Sequence, residues 1–280
     1  MHLFQVIILG LVQGLTEFLP VSSTAHLTLV ENLMLGRSMP LAFDMLLHAG
    51  TLVALIIYFR RELGRVLLGC IGRDHEGGKL ALMLLVAMVP TGIFGMLTRG
   101  TKEVAKDHLW IFGLCLWITA AMLFLANRKA NLQVGRPVAE VTWKDALWVG
   151  GIQGIGGGFG LSRSGSTIAM GVFSGLQMPA SARFSFLLGI PTILAASIVE
   201  GGKLLKPLLL HKPVPAEAMI PSGGLNPITA CLVGVVVAAV AGYAAIGLLD
   251  HFTRRPRLNG FAYYCLAAGL VMLLLGFRII

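Results

Sequence analysis

Charge is what this 280-residue sequence has least of. Asp, Glu, Lys and Arg make up only 12% of it, against about a quarter in a soluble domain. Hydrophobic residues reach 56% and the mean hydropathy is +0.83, which excludes an ordinary water-soluble domain. The four cysteines (Cys70, Cys115, Cys231, Cys265) are scattered and form no Cys-x-x-Cys. That argues against a disulfide framework or a zinc site and leaves them as small packing residues. A positively charged n-region is missing from the N-terminus, and Glu17 and Pro20 stand where a small-residue cleavage site would fall, so the first segment does not read as a signal peptide. Lys and Arg outnumber Asp and Glu by 22 to 13. No basic, aromatic-interleaved patch accompanies this excess, so no nucleic-acid partner is expected; cytoplasmic loops of a membrane protein account for it better.

What is present is long apolar sequence. Six runs approach the roughly 20 residues needed to cross a bilayer: Leu41–Phe59, Leu80–Leu97, Leu109–Ala126, Phe184–Val199, Ile228–Leu249 and Phe261–Phe277. The fourth is short and interrupted by Pro191. The runs are continuous rather than alternating, which excludes a β-barrel. The fold class expected is an all-α integral membrane protein.

Two shorter pieces break the pattern. Gly10-Leu11-Val12-Gln13-Gly14-Leu15 is echoed 140 residues later by Gly150-Gly151-Ile152-Gln153-Gly154-Ile155. Each is followed by a hydroxyl-rich turn, Pro20-Val21-Ser22-Ser23-Thr24 and Gly160-Leu161-Ser162-Arg163-Ser164, and then by a short apolar arm, Thr24–Leu35 or Thr167–Leu176. Twelve residues of helix, the length of the first arm, reach only about 18 Å, short of a hydrocarbon core of about 30 Å. Two arms joined by a polar turn describe a re-entrant hairpin, whose irregular backbone requires a protein-lined or wet interior. One hairpin and three spans per half make an inverted-topology repeat, with the tips meeting near the midplane. The expected organisation is one membrane domain over residues 1–280, with repeats 1–140 and 141–280. A second echo, Phe43-Asp44-Met45-Leu46-Leu47 against Phe184-Ser185-Phe186-Leu187-Leu188, agrees with it. Three loops on one face collect twelve Lys and Arg residues against eight on the other, which makes the first face cytoplasmic and opens the first hairpin to the outside. The Pro-rich stretch Lys206–Pro227 is expected as an outer loop.

The hairpins also hold the candidate chemistry. Glu17 is the only carboxylate of the first arm. An ionisable group at membrane depth costs a few kcal/mol or more and usually faces a functional interior; its bland alternative is an ion pair with Arg163 that merely joins the hairpins. Gln13 lies four residues before Glu17, on the same helical face. Ser22, Ser23 and Thr24 suit N-capping, and the helix start they precede is an anion site. Ser23 and His26, at i and i+3, have the spacing of a nucleophile beside an acid/base group. In the second turn, Gly156–Gly158 and Gly160 allow close backbone approach, and Arg163 matches phosphate oxygens, flanked by Ser162, Ser164 and Thr167. There is neither a P-loop nor a dinucleotide fingerprint. Asp44 and His48 share a helical face, as a second shell or as a packing pair. This set points to a phosphate or diphosphate ligand, and the gaps beside re-entrant helices would let a lipid tail in sideways.

Gln13-x-x-x-Glu17 followed by Phe18-Leu19-Pro20-Val21-Ser22-Ser23-Thr24-x-His26, with Ser162-Arg163-Ser164-Gly165 later, resembles the undecaprenyl-diphosphate phosphatase family of the bacitracin-resistance type. Phe43-Asp44 with Leu47-His48-x-Gly50-Thr51 belongs to the same likeness, which runs from near the start to the last span. The resemblance implies hydrolysis of a polyprenyl diphosphate to the monophosphate and inorganic phosphate, which recycles the lipid carrier of cell-wall synthesis at the outer side of the bacterial inner membrane. It implies Glu17, Ser23, His26 and Arg163 as the active-site set and places Gln13 at the family's Glu-or-Gln position; Gln13, Ser22, Thr24, Ser162, Ser164 and Thr167 are expected around the substrate. One departure is visible: Phe159-Gly160 stands where the family has Pro-Gly.

In the mechanism expected, Ser23 attacks phosphorus or orients a water, and His26 exchanges a proton. Glu17 is the base or holds a divalent cation, Mg or Ca, on the diphosphate. Sequence leaves the nucleophile open, and leaves room for a homodimer. The competing class is a transporter or flippase of lipid phosphates or anions, which shares the inverted-repeat plan but has no use for a reactive Ser23.

Overall fold

The computed structural model describes residues 2–36, 39, 41–98, 100–209 and 225–277, and these form twelve α-helices and a 3-10 turn at Val138–Glu140. In chain order the helices are α1 (Leu3–Phe18), α2 (Ser23–Leu35), α3 (Leu41–Tyr58), α4 (Arg60–Cys70), α5 (His75–Leu97), α6 (Thr101–Asp107), α7 (Leu109–Leu132), α8 (Trp143–Phe159), α9 (Arg163–Phe173), α10 (Met178–Leu209), α11 (Pro227–Arg254) and α12 (Asn259–Gly276). Five segments are each long and apolar enough to cross a bilayer: α5, α7, Met178–Val199 of α10, Ile228–Arg254 of α11, and α12. Leu85, Val89, Ile198, Leu232, Val236 and Val240 are exposed along them, as expected of surfaces solvated by lipid. The protein is a helical, multi-pass membrane protein.

The expected span Leu41–Phe59 coincides with α3, but the chain does not enter a loop after it. Phe43–Tyr58 and Arg60–Cys70 form a pair bent by 79°. Arg60, Arg61 and Arg65, placed in a loop by the sequence reading, therefore sit on helix α4. The apolar run ends at these arginines, yet α4 has a strong amphipathic pattern and no buried residue, a pattern suited to a membrane surface. Of the stretch Lys206–Pro227, residues 206–209 continue α10 and Pro227 opens α11, while 210–224 lie outside the described residues.

Packing crosses between the halves of the chain. α1 lies on α11, α8 on α5, and α7 on α12. Glycines set the closest approaches: a Cβ at Gly14 would sit 2.6 Å from the Ala238 carbonyl oxygen, and one at Gly150 would sit 2.1 Å from that of Ala87. Small residues four apart are how membrane helices let their backbones meet, and here they occur at corresponding places in the two echoed segments. Behind the hairpin tips the core is aromatic. Phe18, at the end of α1, meets Phe186 of α10 edge-on at 5.8 Å, and Phe59 joins the same cluster.

Candidate active site

Each hairpin turn is built by its own hydroxyls. Ser22 caps α2 with φ 69°, the one positive φ outside glycine among the described residues. Its Oγ accepts from the Ala25 amide and donates to the Gly160 carbonyl at 2.7 Å. Ser162 caps α9, its Oγ accepting from the Gly165 amide. Gly160 closes α8 at φ 81°, a conformation that costs glycine little. Gly156–Gly158, expected in the turn, instead complete the last turn of α8, and Arg163 is the first residue of α9 rather than the middle of a loop. Phe159 is the last residue of α8, where its carbonyl accepts from the Cys115 thiol.

The two tips then join. Arg163 Nη2 donates to Glu17 Oε1 at 2.8 Å, Ser164 Oγ donates to the Leu19 carbonyl at 3.1 Å, and Ser22 supplies the third link. Glu17 Oε2 accepts from Ser23 Oγ at 2.6 Å and from Gln13 Nε2 at 3.1 Å. One buried carboxylate thus holds the guanidinium on one oxygen and the Ser23 hydroxyl on the other. Gly189 makes room for the guanidinium, since a Cβ there would lie 2.3 Å from Arg163 Nη1. Thr167 Oγ1 donates to the Arg163 carbonyl at 2.6 Å and packs against Ser185 Oγ, fixing the first turn of α9.

These groups face a cavity of about 290 Å³. Its polar side carries Glu17, Ser22, Ser23, Thr24, Ser162 and Arg163, and its other walls bring Met45, Leu161, Ile193 and Ala196. Gln13, Ser164 and Thr167 are buried behind this wall and act on it through the bonds just given.

His26 is turned elsewhere. Its Nδ1 lies 2.8 Å from the Ser22 carbonyl oxygen, and its Nε2 lies 2.7 Å from Tyr264 Oη, with the two rings stacked. A carbonyl can only accept, so Nδ1 carries a proton, and in the neutral ring Nε2 accepts from the tyrosine hydroxyl. Both nitrogens are engaged away from Ser23, and the ring steadies the carbonyl of the strained Ser22.

His48, expected beside Asp44 at the edge of the site, faces Glu17 itself. Its Nδ1–H donates to the Asp44 carbonyl at 2.7 Å, which aims Nε2 at Glu17 Oε2, 3.7 Å away. Lys106, read from sequence as an outer-loop charge, also lines the cavity, with Nζ 3.1 Å from Asp44 Oδ2. Nothing in the sequence near Lys106 links it to either hairpin; only the fold does.

Among the described residues no three His, Cys, Asp or Glu side chains converge as a metal site. Magnesium commonly binds through one or two carboxylates plus substrate phosphates. Glu17 fits that role for a cation brought in on a ligand, not for one caged by protein alone.

The fold and this centre define a polytopic helical membrane protein in which one buried carboxylate accepts from a serine hydroxyl and from a guanidinium. The family model described as Bacitracin resistance protein BacA matches residues 6–271. The chain belongs to this family. It is 38% identical to a protein named Undecaprenyl-diphosphatase from Desulfosudis oleivorans, over 99% of this chain and all of that one. It is 37% identical to one of that name from Syntrophotalea carbinolica, over 96% and 97% of the two chains. A third from Halothermothrix orenii is 34% identical, over 98% of both.

Proposed function

We propose that this protein hydrolyses undecaprenyl diphosphate to undecaprenyl phosphate and inorganic phosphate, with Ser23 as nucleophile and Glu17 as its base. The observation that carries the mechanism is the 2.6 Å bond from Ser23 Oγ to Glu17 Oε2, with Arg163 on the other carboxylate oxygen. A transporter would need the cation but not a hydroxyl held on a base.

The diphosphate lodges against the hairpin tips, with the prenyl chain leaving past Met45, Ile193 and Ala196. Arg163, the Ser162 hydroxyl and the start of α9 hold the terminal phosphoryl oxygens and stabilise the charge of the transition state. Ser23 Oγ forms a bond to the terminal phosphorus as its proton passes to Glu17. The bridging P–O bond breaks and its electron pair leaves with undecaprenyl phosphate. Water then adds to phosphoserine, the Ser23–phosphorus bond breaks, and Ser23 takes back the proton held by Glu17. The water's protons leave with inorganic phosphate. His26 is a positioning residue in this scheme, acting through Ser22. A divalent cation bound to the diphosphate and Glu17 would neutralise phosphate charge.

The same reading places six spans and two re-entrant hairpins in an inverted repeat over 1–140 and 141–280. The crossed packing of α1 on α11 and α8 on α5 supports it, as do the lengths of α1, α2, α8 and α9, none above 17 residues. It puts the protein in the bacterial inner membrane, with the cavity open to the periplasmic side.

The test is phosphate release from a prenyl diphosphate by pure protein in detergent, followed by Ser23→Ala. Loss of general-base chemistry and its nucleophile is worth at least about 100-fold, and rapid quenching of the parent should trap phosphate on Ser23. Phosphate release that survives Ser23→Ala would refute the nucleophile. Ser23→Ala is cleaner than substitution at Arg163. Removing one partner of a fully buried ion pair costs about 3–5 kcal/mol, and somewhat less here, where Arg163 keeps 17% of its side chain exposed.

A further inference from the structure

The cavity lining carries two cations among the described residues, Arg163 and Lys106, and the reaction as derived uses only one. Lys106 sits on α6, whose first residue is tied to the second hairpin: Thr101 Oγ1 donates to the Gly158 carbonyl at 2.7 Å. The side chain then reaches across to α3 and pairs with Asp44. Asp44 and His48 stand one helical turn apart on α3, and His48 faces Glu17, which holds Arg163. The charged groups therefore follow one another along the wall as Arg163, Glu17, His48, Asp44 and Lys106, with the two cations at its ends.

We propose that Lys106 is the specificity residue for the diphosphate, leaving Asp44 to bind the phosphoryl group nearer the prenyl chain while Arg163 holds the terminal one. The inference rests on the phosphatase reading and extends it to discrimination between substrate and product. A diphosphate offers a phosphoryl group to each cation; the monophosphate product offers one group in all. A lysine suits the task because its ammonium is a compact charge on a four-carbon stem that can swing between partners. Asp44 keeps the ammonium at the cavity while no substrate is bound, so the second phosphate replaces one anion with another.

Binding is measured by calorimetry with farnesyl methylenediphosphonate, which cannot be hydrolysed across its bridge, and with farnesyl monophosphate. Turnover of farnesyl diphosphate is followed in parallel. Lys106→Gln should weaken the diphosphonate about tenfold, the scale of one charge-assisted contact, and raise KM by a similar factor with kcat within about twofold. Its affinity for the monophosphate should not change, and Lys106→Arg should restore most of the loss. Asp44→Asn should tighten diphosphonate binding more in the parent than in Lys106→Gln, because part of its effect runs through the Asp44–Lys106 pair, with Glu31 also beside both residues. The proposal is overturned if Lys106→Gln weakens both ligands by the same factor, if it lowers kcat at constant KM, or if Asp44→Asn acts equally in both backgrounds. If Lys106→Gln is not recovered folded, Lys106→Met, which keeps the apolar stem, answers the same questions. Absence of turnover by the parent would defeat the phosphatase reading alone, since the binding measurements do not depend on it.

Discussion

At Ser22 the backbone and side chain make opposite demands. A positive φ favours glycine, yet the hydroxyl caps α2 and joins the two hairpins through the Gly160 carbonyl. Holding a non-glycine residue there costs on the order of 1 kcal/mol, which the local bonds offset. Ser22→Ala keeps the strain and loses both bonds; Ser22→Gly loses the bonds but relieves the strain. Thermal unfolding should therefore rank parent above Ser22→Gly above Ser22→Ala, with about 1 kcal/mol between the two variants, and a reversed order would deny that the turn is strained. Charge at this scale also bears on the cation. Glu17 and Asp44 cancel Arg163 and Lys106 around the cavity, so an arriving diphosphate finds no surplus positive charge. Chelation of divalent cations should lower phosphate release, and re-addition of Mg or Ca should restore it; full activity in chelator would remove the cation from the scheme. Residue types and spacing made Glu17, Ser23 and Arg163 legible in the sequence, because each is anomalous in apolar surroundings. His26 was legible as a residue but not in direction: i, i+3 spacing puts it near Ser23, while Tyr264, 238 residues away, takes up its ring.

Among the elements, the hairpin arms came through most clearly, since their lengths and capping hydroxyls are local properties. The bent pair of α3 and α4 did not, because an arginine-rich segment reads equally as a loop or as an amphipathic helix until its partner is known. That partner is α5. Arg65 holds Asp74 and Glu76 at 2.8 and 2.7 Å, and Asp74 caps α5 through the Gly77 amide. The hydrogen bond from Arg65, followed by that from the Gly77 amide, holds the Asp74 carboxyl below its ordinary value of 3.8. A depressed carboxyl stabilises the folded turn above its unfolded pKa, and the contribution is lost as pH falls through the folded one. Amide exchange at Gly77 should therefore be protected at neutral pH, once corrected for intrinsic rates, and lose that protection below about pH 4. Asp74→Asn should show the loosened behaviour at every pH; unchanged protection in that variant would show that the clasp does not hold the turn.

The whole molecule brings together what sequence could state only as a likeness between two halves. The echo of Gln13 and Gln153 suggests a duplication, but not that α1 lies on α11 and α8 on α5. Those pairings depend on backbone approach at glycines, which no spacing rule orders between distant helices. Topology is open to a direct measurement through a native residue. Cys70 is exposed at the end of α4, whereas Cys115 and Cys265 are buried and Cys231 is half-buried, so labelling is mapped to Cys70 by peptide or read in a Cys231→Ser background. With the arginine-rich loops cytoplasmic, a membrane-impermeant maleimide should label Cys70 in inside-out vesicles and not in right-side-out ones; the opposite result would invert the orientation and with it the side on which phosphate is released.

The clasp between Glu17 and Arg163 joins residues 146 positions apart. During synthesis Glu17 is made long before Arg163, so this link between the two turns can form only once the second turn has been translated. A chain cut short before residue 163 would therefore lack the guanidinium that holds Glu17 Oε1.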